Sequence, residues 1–255
     1  MLPIGDENRH GGPPPLVNWL FIALNVLIWI AVQGAGSMLP LARSVCDLGL
    51  IPGELTGLVP PGTRFPIGEG LACVTDPGRQ VSHLVTSMFL HGSWMHLLGN
   101  MWFLYLFGNN VEDAMGAVRF AIFYLLTGLA AALAQVITNP ASAIPMVGAS
   151  GAISGVMGAY LVLYPRVRVF CLVFLGFFVT SIAVPAWVML IYWLGIQFVS
   201  GLAAFASEVG GGVAFWAHVG GFVAGVVLVK LLARPAYVAA HTAHHWAPRR
   251  VAFRR

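Results

Sequence analysis

Residues 147–164 read VGASGAISGVMGAYLVLY, an apolar run punctuated by Gly148, Gly151, Gly155 and Gly158. In a soluble helix each glycine costs about 1 kcal/mol against alanine. In a membrane, small residues four apart let two helix backbones approach closely. Gly151 and Gly155, with Ser154 and Gly158 beside them, form such a face. Ser150 stands at its outer end, and the flanking Gly148 and Gly151 clear space for a peptide backbone to reach its hydroxyl. A second small-residue face lies in AHVGGFVAG, where Ala217, Gly221 and Gly225 are four apart. Pressing the two faces together brings His218, next to Ala217, towards Ser150.

The composition points to lipid. Of 255 residues, 58% are hydrophobic and 9% are charged, whereas a soluble domain carries about a quarter charged residues. There are too few charges to wet a globular surface, and no nucleic-acid partner is expected. A hydrocarbon core about 30 Å thick needs about 20 apolar residues per helix. Six runs qualify: Leu16–Val32, Trp94–Asn110, Arg119–Thr138, Val147–Tyr164, Pro185–Phe205 and Val213–Leu232. Met1–Pro15 is polar and lacks the charged lead and cleavage site of a signal peptide, so the first run is expected to remain as a span.

Val169–Val184 is a seventh apolar stretch, and charge decides its status. With six spans and the N-terminus inside, the inner side carries Arg9, Arg119, Arg166, Arg168, Lys230, Arg234, Arg249, Arg250, Arg254 and Arg255. The outer side carries Arg43, Arg64 and Arg79, ten against three. A crossing at Val169–Val184 would send the last six of the ten outside, against the bias of cationic loops to the cytoplasm. It would also strand His218 at the face opposite Ser150. The stretch therefore reads as a re-entrant or interfacial connection. The expected architecture is an all-α bundle of six transmembrane helices with a long first extracytoplasmic loop, Gln33–Ser93. Residues 1–15 form a cytoplasmic segment, 16–232 the membrane domain and 233–255 a basic cytoplasmic tail. Cys46 and Cys73 share the first loop and can pair if that loop meets an oxidising compartment.

Four polar residues then fall at one depth. His96 and Asn100 lie in the first two turns of the second span, Ser150 in the first turn of the fourth and His218 in the second turn of the sixth. At about 1.5 Å per residue all are within roughly 10 Å of the outer boundary. A serine hydroxyl needs a base to take its proton, and histidine has a suitable pKa near neutrality. His96 and Asn100 are one helical turn apart on a shared face, and with the Ser150 N–H they supply donors for an oxyanion. Asn100 also reads as interhelical glue. A zinc site built on His91, His96 and His218 is disfavoured, because HExxH is absent and no Asp or Glu lies in a span beside them. Neither metal nor cofactor is expected. No carboxylate is available as a third catalytic group either, so packing would have to orient His218.

These motifs resemble the rhomboid family of intramembrane serine proteases. GASG at Gly148–Gly151 is similar to the family's nucleophile motif, AHVGGFVAG to its AHxxGxxxG, and HGSWMHLLGN, spanning His91, His96 and Asn100, to its HxxxxHxxxN. NNVED at Asn109–Asp113, with Gly116 and Arg119, resembles the family's turn after the second span, and the match covers about Val81–Lys230. The resemblance implies a Ser150–His218 dyad, His96 and Asn100 at the oxyanion, and a water-filled cavity open to the outside. It implies single-span membrane proteins as substrates, cut near the outer end of their span. The expected location is a bacterial inner membrane with both termini cytoplasmic, the orientation following from the charge count. Two positions depart from the pattern. Ser82-His83 stands where many members have Trp-Arg, and Ser154 where some carry an aromatic. The weighed alternatives are a catalytically silent rhomboid-like binder or chaperone of transmembrane segments, and a transporter. The presence of Ser150 and His218 speaks against the first. The want of intramembrane carboxylates and of broken helices in paired halves speaks against the second.

Overall fold

The structure, a computed structural model, describes residues 2–8, 14–68, 70–176, 178–206 and 213–245. Arg9, Arg249, Arg250, Arg254 and Arg255, counted in the charge argument, lie outside the described residues. The chain runs as strand β1 (Leu2–Asp6), helices α1 (Leu16–Ala31), α2 (Met38–Leu48) and α3 (Pro52–Thr56), strands β2 (Arg64–Gly68) and β3 (Leu71–Val74), and the short α4 (His83–Thr86). It continues through α5 (Trp94–Met115), α6 (Ala117–Thr138), α7 (Ser150–Leu163), strands β4 (Arg168–Leu175) and β5 (Phe178–Pro185), then α8 (Ala186–Ala206), α9 (Phe215–Leu232) and α10 (Pro235–His245).

Each of the six apolar runs folds as one helix. Three of them, Ala117–Thr138, Ala186–Ala204 and Phe215–Leu232, are long and apolar enough to cross a membrane, while Leu16–Ala31 and Ser150–Leu163 are shorter apolar helices. The central element is α7, buried from Gly151 to Tyr160 and packed against α5, α6 and α9. Its glycines permit this. A Cβ on Gly221 would run into the carbonyl oxygen of Gly151, one on Gly225 into that of Gly155, and one on Gly158 into that of Phe222. The helices α7 and α9 thus touch backbone to backbone, as the two small-residue faces predict.

The all-α expectation needs correction. Val169–Val184 forms the β4–β5 hairpin, paired from Arg168↔Pro185 to Leu175↔Phe178, and β1 adds antiparallel to β4. The run is rich in β-branched and aromatic residues, which favour a pleated strand. Gly176, with φ of +64°, supplies the turn. Val169 and Cys171 point into the core while Phe170 is exposed, the alternation of a half-buried strand. A second small sheet, β2–β3, lies in the first loop, where Cys46 of α2 is disulfide-bonded to Cys73 of β3. NNVED is likewise not itself a turn: it continues α5, and the reversal comes at Gly116, whose φ is +81°.

At the end of the bundle opposite Ser150, side chains join the elements. Tyr160 donates to Asp6 (2.6 Å), Trp102 to the carbonyl of Pro3 (2.7 Å) and Tyr164 to the carbonyl of Asn110 (3.2 Å). The α1 N-terminus has no side-chain cap of its own, and the Glu112 carboxylate of α5 accepts from the amides of Val17 (3.1 Å) and Asn18 (2.8 Å). A negative group is favoured there by the helix dipole and the free amides.

Candidate active site

Ser150 is the first residue of α7, so its own N–H is among the amides left free at a helix N-terminus. The approach to it is tied by backbone hydrogen bonds. Met146 and Leu50 exchange backbone hydrogen bonds (2.7 and 3.0 Å), and the Gly148 N–H donates to the Ser87 carbonyl (2.9 Å). Gly148 has φ of +135°, and a Cβ there would stand 2.8 Å from Cε1 and Nε2 of the His96 ring. Only glycine fits this position.

His218 Nε2 lies 2.8 Å from Ser150 Oγ, a hydrogen bond in the correct range for proton transfer. The pair opens into a cavity of about 370 Å³ lined also by His96, Asn100, Gly148, Gly151 and Trp193. Asn100 is 8% exposed, and its amide nitrogen is a donor without a partner among the described residues. Ser93 caps α5 by accepting from the His96 amide (3.1 Å), and the Gly92 N–H donates to His96 Nδ1 (3.3 Å). With Nδ1 used as an acceptor, the neutral ring carries its proton on Nε2, the nitrogen that faces Gly148. Three donors therefore belong to the residues that line one cavity: the Ser150 amide, the Asn100 amide and His96 Nε2–H.

His91 does not line the cavity. It is fully buried behind His96, ring centroids 5.1 Å apart in an edge contact. Its backbone is held by the Gln33 side chain, which donates to the His91 carbonyl and accepts from its N–H, both at 2.8 Å. No group of three metal-ligating side chains occurs among the described residues.

Two contacts escape the sequence reading. Gln197 of α8 places Oε1 2.8 Å from His218 Nδ1, and Trp193, one turn earlier, packs against the His218 ring at 5.8 Å. Gln197 is the only amide side chain in the fifth apolar run, a signal that an intramembrane polar residue earns a function by default. Ser154, standing where an aromatic is found in some relatives, instead donates to the Ser150 carbonyl (2.6 Å).

Residues 78–235, more than half the chain, match the family model described as the Rhomboid domain. The chain belongs to the rhomboid family. It is similar to the Rhomboid-like protein 11, chloroplastic, of Arabidopsis thaliana, 31% identical over 158 residues, covering 59% of this chain and 52% of that protein. It is similar also to the Putative rhomboid protease YdcA of Bacillus subtilis (strain 168), 37% identical over 78 residues, 31% of this chain and 39% of that one. Rhomboid protein 1, mitochondrial, of Saccharomyces cerevisiae is 32% identical over 111 residues, 41% of this chain and 32% of the yeast protein. The chain spans about half or less of the length of these relatives. As a rhomboid with membrane-crossing helices it is an integral membrane protein, in a family characterised by intramembrane serine proteolysis.

Its first loop departs from the rhomboid pattern at Ser82-His83, and other contacts anchor it. Buried Glu54 of α3 accepts from the Asp76 amide (2.8 Å), with the half-turn at His83 nearby, and Thr86 donates to the Leu48 carbonyl (2.7 Å). Burial holds the Glu54 carboxyl above the usual carboxylate range, the charge of neighbouring Asp76 adding to this.

Proposed function

We propose that this rhomboid is an intramembrane serine endopeptidase in which Ser150 is the nucleophile and His218 the general base and acid. The observation that carries the reading is the 2.8 Å separation of His218 Nε2 and Ser150 Oγ at a cavity that the partnerless Asn100 amide also lines. Ser150 Oγ attacks the scissile carbonyl carbon as its proton passes to His218 Nε2. The resulting oxyanion is held by the Ser150 N–H, the Asn100 amide and His96 Nε2–H. Collapse breaks the C–N bond, and His218 returns the proton to the leaving amine. A water, deprotonated by the same imidazole, then hydrolyses the acyl-serine ester.

The substrates are single-span membrane proteins, cut near the outer end of the span. A peptide bond in a helix is shielded by its own backbone hydrogen bonds, so cleavage needs a segment that leaves its helix readily. In this reading residues 16–232 form a six-span domain. The end bearing Ser150 faces the extracytoplasmic side of a bacterial inner membrane, with residues 1–15 and 233–255 in the cytoplasm. Two features support that orientation: the cationic bias towards Arg166, Arg168 and Lys230, and the Cys46–Cys73 disulfide, which belongs in an oxidising compartment.

The test is Ser150→Ala in the full chain, reconstituted in vesicles with a model single-span substrate. Cleavage is expected to vanish while the thermal unfolding profile is retained. Ordinary cleavage by that variant refutes the proposal. A fluorophosphonate should label the native chain in a manner that requires both Ser150 and His218; absence of labelling would favour a silent binder of transmembrane segments.

A further inference from the structure

We propose that Gln197 is a positioning residue that sets the tautomer and orientation of His218, so that the site works as a Ser–His–Gln constellation drawn from three helices. The inference rests on the protease reading above. Gln197 Oε1 and Ser150 Oγ stand on opposite nitrogens of one ring, each at 2.8 Å. A carbonyl oxygen only accepts, so Nδ1 must carry the ring proton, and the lone pair of Nε2 is left for the serine hydroxyl. The reverse amide orientation would donate to Nδ1 and place the proton on Nε2, where it would block the base. When His218 takes the serine proton, the new positive charge strengthens the Nδ1–H bond to Gln197, a gain made in the transition state rather than the ground state.

The chemistry of the surroundings explains an amide at this place. Among the residues lining the cavity, His96 and His218 are the only ionisable side chains. A carboxylate on α8 would be a buried charge with no permanent cation, costly to desolvate. An amide oxygen gives the same directional acceptor without that cost. Trp193 and Gln197 are four residues apart and so share a face of α8. One packs against the His218 ring and the other bonds its edge, which fixes both ring plane and rotation.

Two variants of the full chain test this, assayed against a single-span model substrate across pH. Gln197→Met keeps length and removes the acceptor. It should lower kcat about 10- to 100-fold, the rate equivalent of one charge-assisted hydrogen bond, with KM little changed. Gln197→Glu restores an acceptor and adds charge. It should recover kcat at high pH and move the acid limb of the kcat/KM profile up by about one unit or more, because a carboxylate favours the imidazolium. Ring-nitrogen NMR should show His218 protonated at Nδ1 in the native chain and a mixture of tautomers in Gln197→Met. An unchanged kcat and tautomer in Gln197→Met, or an unmoved acid limb in Gln197→Glu, overturns the proposal. If Gln197→Met fails to fold, the Gln197→Glu profile decides. If the native chain does not cleave, or Ser150→Ala cleaves equally, the protease reading falls instead, and the tautomer measurement still judges Gln197.

Discussion

The two ends of the α5–α7–α9 core are built on opposite principles. At the end bearing Ser150 the helices meet through glycine and alanine, Gly151 against Gly221 and Gly155 against Gly225. The Asn100 amide, which lines the cavity there, has no partner among the described residues. At the other end large side chains fill the gaps between elements. Tyr160, Phe107 and Tyr164 pack edge to face, and Asp6, Glu112 and Trp102 are all engaged in hydrogen bonds. An unpaired donor is a cost in a folded protein unless something else uses it. The contrast is one of spacing: small residues bring backbones together at one end, and large side chains fill the gaps at the other.

The comparison breaks most severely at the backbone contacts. Gly225→Leu should cost about 3 kcal/mol or more, since the side chain meets the Gly155 backbone and cannot be relieved by a rotamer change. Thermal unfolding in detergent should show the loss, with cleavage abolished alongside. Retained stability would mean that close approach does not hold these helices. Asn100→Ala should act in the reverse sense. Removing one oxyanion donor should reduce kcat about 100- to 1,000-fold, with stability unchanged or raised because an unpaired buried amide is gone; a destabilised but active variant would mark Asn100 as glue.

Tyr160→Phe is the counterpart at the opposite end. It deletes the bond to Asp6 and should lower stability by about 1–3 kcal/mol while leaving kcat alone. A fall in kcat at full stability would show that the two ends are coupled. The smallest effect is expected at Glu54→Gln, in the first loop. The folded carboxyl has a raised pKa, so folding favours its neutral form more than the unfolded chain does. The native loop is therefore relatively most stable in acid and loses stability as pH rises through the folded pKa. Glutamine imitates the neutral form, so the variant should gain on the native chain near neutrality, and the gap should close on acidification. A gap independent of pH would assign the effect to packing.

How legible each part was follows from where its information resides. The six helices were readable because each apolar run is local and continuous, and their bounds fall within a few residues of those runs. The meeting of Ser150 and His218 was readable too, since small residues four apart announce which faces can close. Charge excluded a crossing at Val169–Val184, but not its form: the pairing of β4 with β1 joins residues far apart in sequence, which no local pattern carries. Whether Cys46 and Cys73 pair stayed open because it turns on the redox compartment of the first loop.

What the amino-acid sequence determined alone, then, is a membrane bundle with a serine and a histidine on two glycine-faced helices. What only the tertiary structure decided is how that histidine is held. Gln197 and Trp193 lie on α8; the lone amide of Gln197 marks a polar position in the run, but not the partner it meets. That choice is made by packing against α9, and the Gly92 bond that fixes the His96 proton depends likewise on how the chain enters α5. Hydrophobicity specifies which segments leave water; in lipid it does not distinguish one side of a helix from another, and shape and hydrogen bonding make that distinction.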